Sequence, residues 1–159
     1  MRGTVLYGPR DIRFEDRETP KIVEPTDAII RISLTCVCGS DLWPYRGLQP
    51  INGPTPMGHE YRGIVEEVGS AVRKIKPGQF VVGSFFASDN TCPNCQAGYQ
   101  TSCQQRELVG GAQAGRLRVP LADGTLCRRR GCHPRIWFPA GSPPRTCWAP
   151  AGSRPMPRT

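Results

Sequence analysis

Three things are missing from these 159 residues, and each narrows the reading. No apolar run reaches the ~20 residues of a membrane-spanning helix, so no membrane partner is expected. The N-terminal MRGTVLYGPRDIRFED lacks the apolar core of a signal peptide, and a cytoplasmic, reducing setting is the expectation. No G-x-G-x-x-G occurs anywhere, so no cofactor-binding residue for a dinucleotide is expected in the chain. The nearest glycine cluster, VGGAQAG at 109–115, lacks both the spacing and the following strand–helix grammar.

Acidic residues are missing too, but only from one end. Residues 1–126 carry 14 Lys and Arg against 13 Asp and Glu, a net of +1, whereas residues 127–159 carry 7 Arg and no Asp, Glu or Lys. The formal +8 of the chain is therefore a property of its last 33 residues. That segment also holds 7 Pro and 3 Cys without amphipathic period, and is expected to be a disordered tail. Its composition is what a GC-rich gene yields when read out of frame. The expectation is that the native frame is lost near Leu126, which resequencing the locus would test. A basic tail could instead serve a nucleic acid. Charge confined to 127–159 and the lack of patterned aromatics speak against that, and no nucleic-acid partner is expected.

What remains, residues 1–126, is long enough for one domain with a real core. It reads mostly as strand. GTVLYG and DIRFED are short alternating segments, DAIIRISLTCVCG is a longer β-rich run, and EYRGIVEEVGSAV and GQFVVGSFF add two more. Residues 40–46 are expected to make one or two helical turns with Ser40 as N-cap, 47–58 a loop, and 108–122 one further strand. Many short strands with Gly/Pro turns argue for a mainly β barrel or sandwich.

Three segments carry chemistry. Eight cysteines in a reducing setting favour thiolate ligands or free thiols, with a disulfide framework as the alternative. In CVCGSD (36–41) the two cysteines alternate along a presumed strand, which places Cys38 at a site and Cys36 in the core. In GHEYRGIVEEVGSAV (58–72), His59 and Glu60 sit among glycines that mark crowded backbone. In SDNTCPNCQAGYQTSC, the Cys-x2-Cys-x7-Cys spacing lets close thiolates on a turn bite one ion, with a third returning after a loop.

CGSD (38–41), GHE-x2-G-x5-G-x2-V (58–72), KPGQFV (76–81) and the cysteine lobe (88–104) together resemble one family. It is the zinc-dependent alcohol dehydrogenases of the medium-chain dehydrogenase/reductase superfamily, in their N-terminal GroES-like catalytic domain. The resemblance covers residues 1–126 and implies a mainly β, partly open GroES-like barrel with short helices and a zinc-binding loop lobe. It implies a catalytic zinc on Cys38 and His59, with Glu60 beside the metal and Asp41 orienting the imidazole. An alcohol made acidic by zinc would lose its proton through Ser40 and its hydride to NAD(P). A small alcohol or aldehyde is then the substrate class, and the full-length family allows an oligomer.

Two departures matter. Where many members carry a proton-relaying His five residues after the zinc Cys, this chain has Trp43, which could line the pocket or simply pack. The family's further zinc ligand and its Rossmann domain find no match. The expectation is a polypeptide truncated before the cofactor domain and inactive alone. A freestanding, non-enzymatic zinc-binding module is the alternative. Cys127, Cys132 and His133 of the tail are poor sources of a third ligand. In the lobe, the family's Cys-x2-Cys-x2-Cys-x7-Cys lays Cys92, Cys95 and Cys103 on the last three positions and Asp89 on the first. Asp89 is then the fourth ligand of a structural zinc, the alternative being an empty lobe with Asp89 in solvent.

Overall fold

A computed structural model describes residues 1–128. The expected disorder of the tail therefore concerns residues that lie almost wholly outside those described.

The chain is mainly β with open sheets and short helical turns, as expected. Strands β1 (Arg2–Gly8) and β2 (Asp11–Asp16) form a hairpin, and the two-residue β4 (Thr55–Pro56) adds to the other edge of β1. The main sheet has the order β10-β6-β5-β3-β9, from β3 (Ala28–Thr35), β5 (Tyr61–Val68), β6 (Phe80–Gly83), β9 (Arg116–Val119) and β10 (Leu126–Arg128). All its pairings are antiparallel. A third, two-stranded sheet joins β7 (Phe86–Ala87) to β8 (Glu107–Leu108). Strand β10 pairs Cys127 with Val82 and Arg128 with Val81, so regular backbone runs two residues past the compositional boundary at 126.

Alternation explains β5, where Tyr61, Gly63 and Val65 are buried and Arg62 is exposed. Its inward residues join Ala28 and Ile30 of β3, Val81 of β6, and Leu117 and Val119 of β9 in the main core. Gly63 is required by contact: a Cβ there would lie 2.2 Å from the Arg31 carbonyl oxygen and 2.8 Å from Ile30 Cγ2. Among the described residues no helix is long and apolar enough to cross a membrane.

Three local expectations need correction. Residues 108–122 do hold a strand, β9, but Glu107–Leu108 forms another, too short for a period-2 pattern to show. The helical stretch is a 3-10 turn, Gly39–Asp41, followed by α1 (Leu42–Tyr45), and its N-cap is Cys38 rather than Ser40. Cys36 is exposed, not in the core. Strand β3 ends at Thr35, so strand alternation does not extend to residues 36–38.

Candidate metal centres

The first centre forms where β3 runs out and the chain enters the turn that follows. The Cys38 amide donates to Asp41 Oδ2 at 2.8 Å, which closes the turn and points the rest of that carboxylate at the next element. His59 comes from the loop before β5. That loop is stitched on both sides: the Met57 amide donates to the Thr4 carbonyl at 3.0 Å, and the Ala112 amide donates to Gly58 O at 3.0 Å. Gly58 itself has φ +90°, and a Cβ there would meet Gln113 Cγ at 2.7 Å. The glycine before His59 is thus a backbone necessity.

These constraints bring five expected residues together: Cys38, Ser40, Asp41, His59 and Glu60. His59 Nδ1 lies 3.4 Å from Asp41 Oδ1, and His59 Nε2 lies 3.3 Å from Ser40 Oγ. A carboxylate facing Nδ1 favours the proton there and makes Nε2 the acceptor, for the Ser40 hydroxyl or for a metal in its place. Cys38, His59 and Glu60 each offer one donor atom, all within 4.8 Å of one another, and all three residues are half-buried. Thiolate, imidazole and carboxylate are the donor types zinc takes. Trp43 is 57% exposed in α1. Phe85 packs its ring 5.9 Å from that of His59.

Two contacts at this centre were invisible in the sequence. Cys36 Sγ donates to Glu60 Oε2 at 2.8 Å, and Thr35 Oγ1 donates to the Glu60 carbonyl at 2.9 Å. The Cys36 thiol is pushed up to about 11, first by that bond to Glu60 and then by burial. No local signal could announce a contact 24 residues apart.

The second centre is the lobe. Asp89, Cys92, Cys95 and Cys103 converge with all four donor atoms within 4.8 Å, three of the residues buried and Asp89 partly so. The Cys92 and Cys103 sulfurs stand 3.9 Å apart, too far for a disulfide. Two thiolates on one tetrahedral zinc at ~2.3 Å each would stand roughly 3.8 Å apart, so the spacing fits. Cys92 is the N-cap of α2 (Pro93–Gln96), whose Pro93 starts the helix where no amide is needed. Amides of Asp89 and Gln105 each donate to Cys103 Sγ at 3.4 Å.

Charge in the lobe follows from its neighbours. Asp89 Oδ1 accepts the amides of Thr91 at 2.8 Å and Cys92 at 3.1 Å, and these bonds hold its carboxyl below the usual carboxylate range. The Cys92 thiol is lowered, first by a backbone bond from Gln104. Burial pushes Cys95 up to about 12. A carboxylate and three sulfurs so close together cannot all be anionic without a cation. The three cysteines form their own small buried cluster, apart from the main core. Of the tail residues weighed as donors, Cys127 lies in β10, while Cys132 and His133 lie outside the described residues.

An open β framework thus carries two separate clusters of donor atoms that could each hold a metal ion, one of Cys38, His59 and Glu60 and one of Asp89, Cys92, Cys95 and Cys103. Residues 24–128 match the alcohol dehydrogenase GroES-like domain, and the chain belongs to that family. Zinc-type alcohol dehydrogenase B from Aspergillus flavus is 39% identical over 133 residues, covering 80% of this chain and 31% of that protein. A medium-chain reductase/dehydrogenase from Acremonium sp. is 38% identical over 134 residues, covering 80% of this chain and 46% of that one. The solved alcohol dehydrogenase TADH from Thermus sp. ATN1 superposes with a TM-score of 0.76 at 34% identity, covering 80% of this chain and 40% of that chain. The chain thus spans between about a third and a half of the length of these relatives.

Proposed function

We propose that residues 1–126, with the lobe at 88–104, form the zinc-binding catalytic domain of an NAD(P)-dependent oxidoreductase acting on a small alcohol or aldehyde. The observation that carries this is the convergence of Cys38, His59 and Glu60, with Asp41 on one imidazole nitrogen and Ser40 on the other. Cys38, His59 and Glu60 would hold a catalytic zinc. When bound, zinc supplies Lewis-acid chemistry that makes an alcohol more acidic. Asp41 fixes the His59 tautomer and ring plane. Ser40, exposed and 3.3 Å from His59 Nε2, takes the alcohol proton. Trp43 offers no basic nitrogen to take up and pass on a proton, so the proton taken at Ser40 leaves to water.

Asp89, Cys92, Cys95 and Cys103 would hold the structural zinc, whose formal ligand charge with one Asp equals that with four thiolates. Both metal centres fall to these residues, and none of the residues assigned here holds the dinucleotide. Free thiols at both centres suit a cytoplasmic, reducing setting. No nucleic acid or membrane enters this reading, and an oligomer is compatible with it.

The test is metal content by mass spectrometry together with an NADH titration of the purified chain. Two zinc equivalents and no saturable NADH binding are the expected results. One equivalent or none would remove a centre, and saturable NADH binding would overturn the division of labour.

A further inference from the structure

Glu60 is pinned at two points by consecutive residues at the end of β3. Thr35 Oγ1 holds its carbonyl at 2.9 Å and Cys36 Sγ holds its carboxylate Oε2 at 2.8 Å. The same carboxylate offers a donor within 4.8 Å of those of Cys38 and His59. Glu60 has several rotatable bonds, and a free carboxylate in a half-buried position would otherwise swing to water. We propose that Cys36 is a positioning residue for the metal-binding carboxylate: its thiol fixes Glu60 as the third protein donor beside Cys38 and His59. The inference rests on the metal-site reading above.

The position explains why a cysteine can do this. A thiol carries one S–H donor, and its sulfur stands 2.8 Å from Glu60 Oε2. Cys36 lies just past the last residue of β3, where it is exposed and reaches across to the residue before β5. A cavity of about 500 Å³ lined by Arg2, Phe14, Cys36 and Val37 opens beside it but is not lined by Cys38 or His59.

The test is a cobalt(II) titration of the full chain, followed by absorption, in which the three-thiolate lobe and the one-thiolate centre give distinguishable spectra. Cys36→Ala is expected to weaken the equivalent at the Cys38 centre about tenfold while leaving the lobe unchanged, as removal of an outer hydrogen bond to a ligand does. Cys36→Ser, which keeps a donor, is expected to restore binding to within about twofold. Glu60→Gln should weaken that equivalent, and adding Cys36→Ala to it should cost nothing further. Wild-type affinity in Cys36→Ala, or additive losses in the double variant, would overturn the proposal alone. A weaker sulfur-to-cobalt band at this centre in Cys36→Ser would also overturn it, by making Cys36 a ligand. A single cobalt equivalent in every variant would overturn the metal-site reading and this proposal with it.

Discussion

At Asp89 one carboxylate does two things: Oδ1 accepts the Thr91 and Cys92 amides, and the group stands among three cysteine sulfurs. Substitution can separate them. Asp89→Asn keeps an acceptor for the two amides but removes the charge, and Asp89→Ala removes both. If Asp89 is a zinc ligand, both variants lose zinc to a competing chelator at least about tenfold more readily, or ~1.4 kcal/mol. Asp89→Cys then binds more tightly than the parent, because thiolate suits zinc better than the harder carboxylate. Wild-type retention in Asp89→Asn would reduce Asp89 to a turn cap. At the other centre, Asp41→Asn keeps one acceptor for the Cys38 amide but no longer fixes the His59 tautomer. The expected result is roughly 10- to 100-fold weaker metal binding at the Cys38 centre. Chelator competition measures it, with the lobe as internal control.

Strand β5 is the element on which the site depends, since it pairs with both β3 and β6 and starts directly after Glu60. Gly63→Ala puts a methyl into the Arg31 carbonyl, rigid backbone that cannot swing aside. The expected loss is ~1–3 kcal/mol in urea denaturation, as for other overpacked sites. Gly115→Ala, whose Cβ would meet nothing within 4 Å, is the control expected to change little. The glycines of the GHE segment were legible in the sequence because crowded backbone tolerates no other residue. The lobe was legible because short cysteine spacings leave few other geometries. Strands β4 and β8 were not legible, since two residues cannot display an alternation. Cys36 was misread for a related reason: alternation was carried past Thr35, where the strand stops and the side chain turns to Glu60. That contact joins residues 24 apart, and only the antiparallel pairing of Thr35 with Tyr61 brings them together.

For the whole molecule, the metal-free state has a weak alkaline side. Burial pushes Cys95 up to about 12, the Glu60 bond and burial push Cys36 up to about 11, and burial raises the Tyr61 phenol above its usual range. In the unfolded chain thiols ionise near 8.5 and tyrosine near 10. The folded chain therefore holds protons that the unfolded chain gives up. Their stabilising contribution is complete below ~8.5 and is lost as pH climbs from there toward the folded values. Cys36, being exposed, contributes least. Zinc in the lobe changes the sign for Cys95, because a ligating thiol must be deprotonated and binding then releases protons. Zinc affinity accordingly rises with pH over the same range in which the metal-free fold weakens. The buried cluster of the lobe is the three cysteines themselves, so its interior is made of the metal donors. Urea midpoints measured with chelator present are expected to fall between about pH 8 and 10.5, and those measured with zinc to stay level or rise. A flat metal-free curve across that interval would show that these three groups do not govern the stability. Parallel curves with and without zinc would show that the lobe does not couple metal to folding.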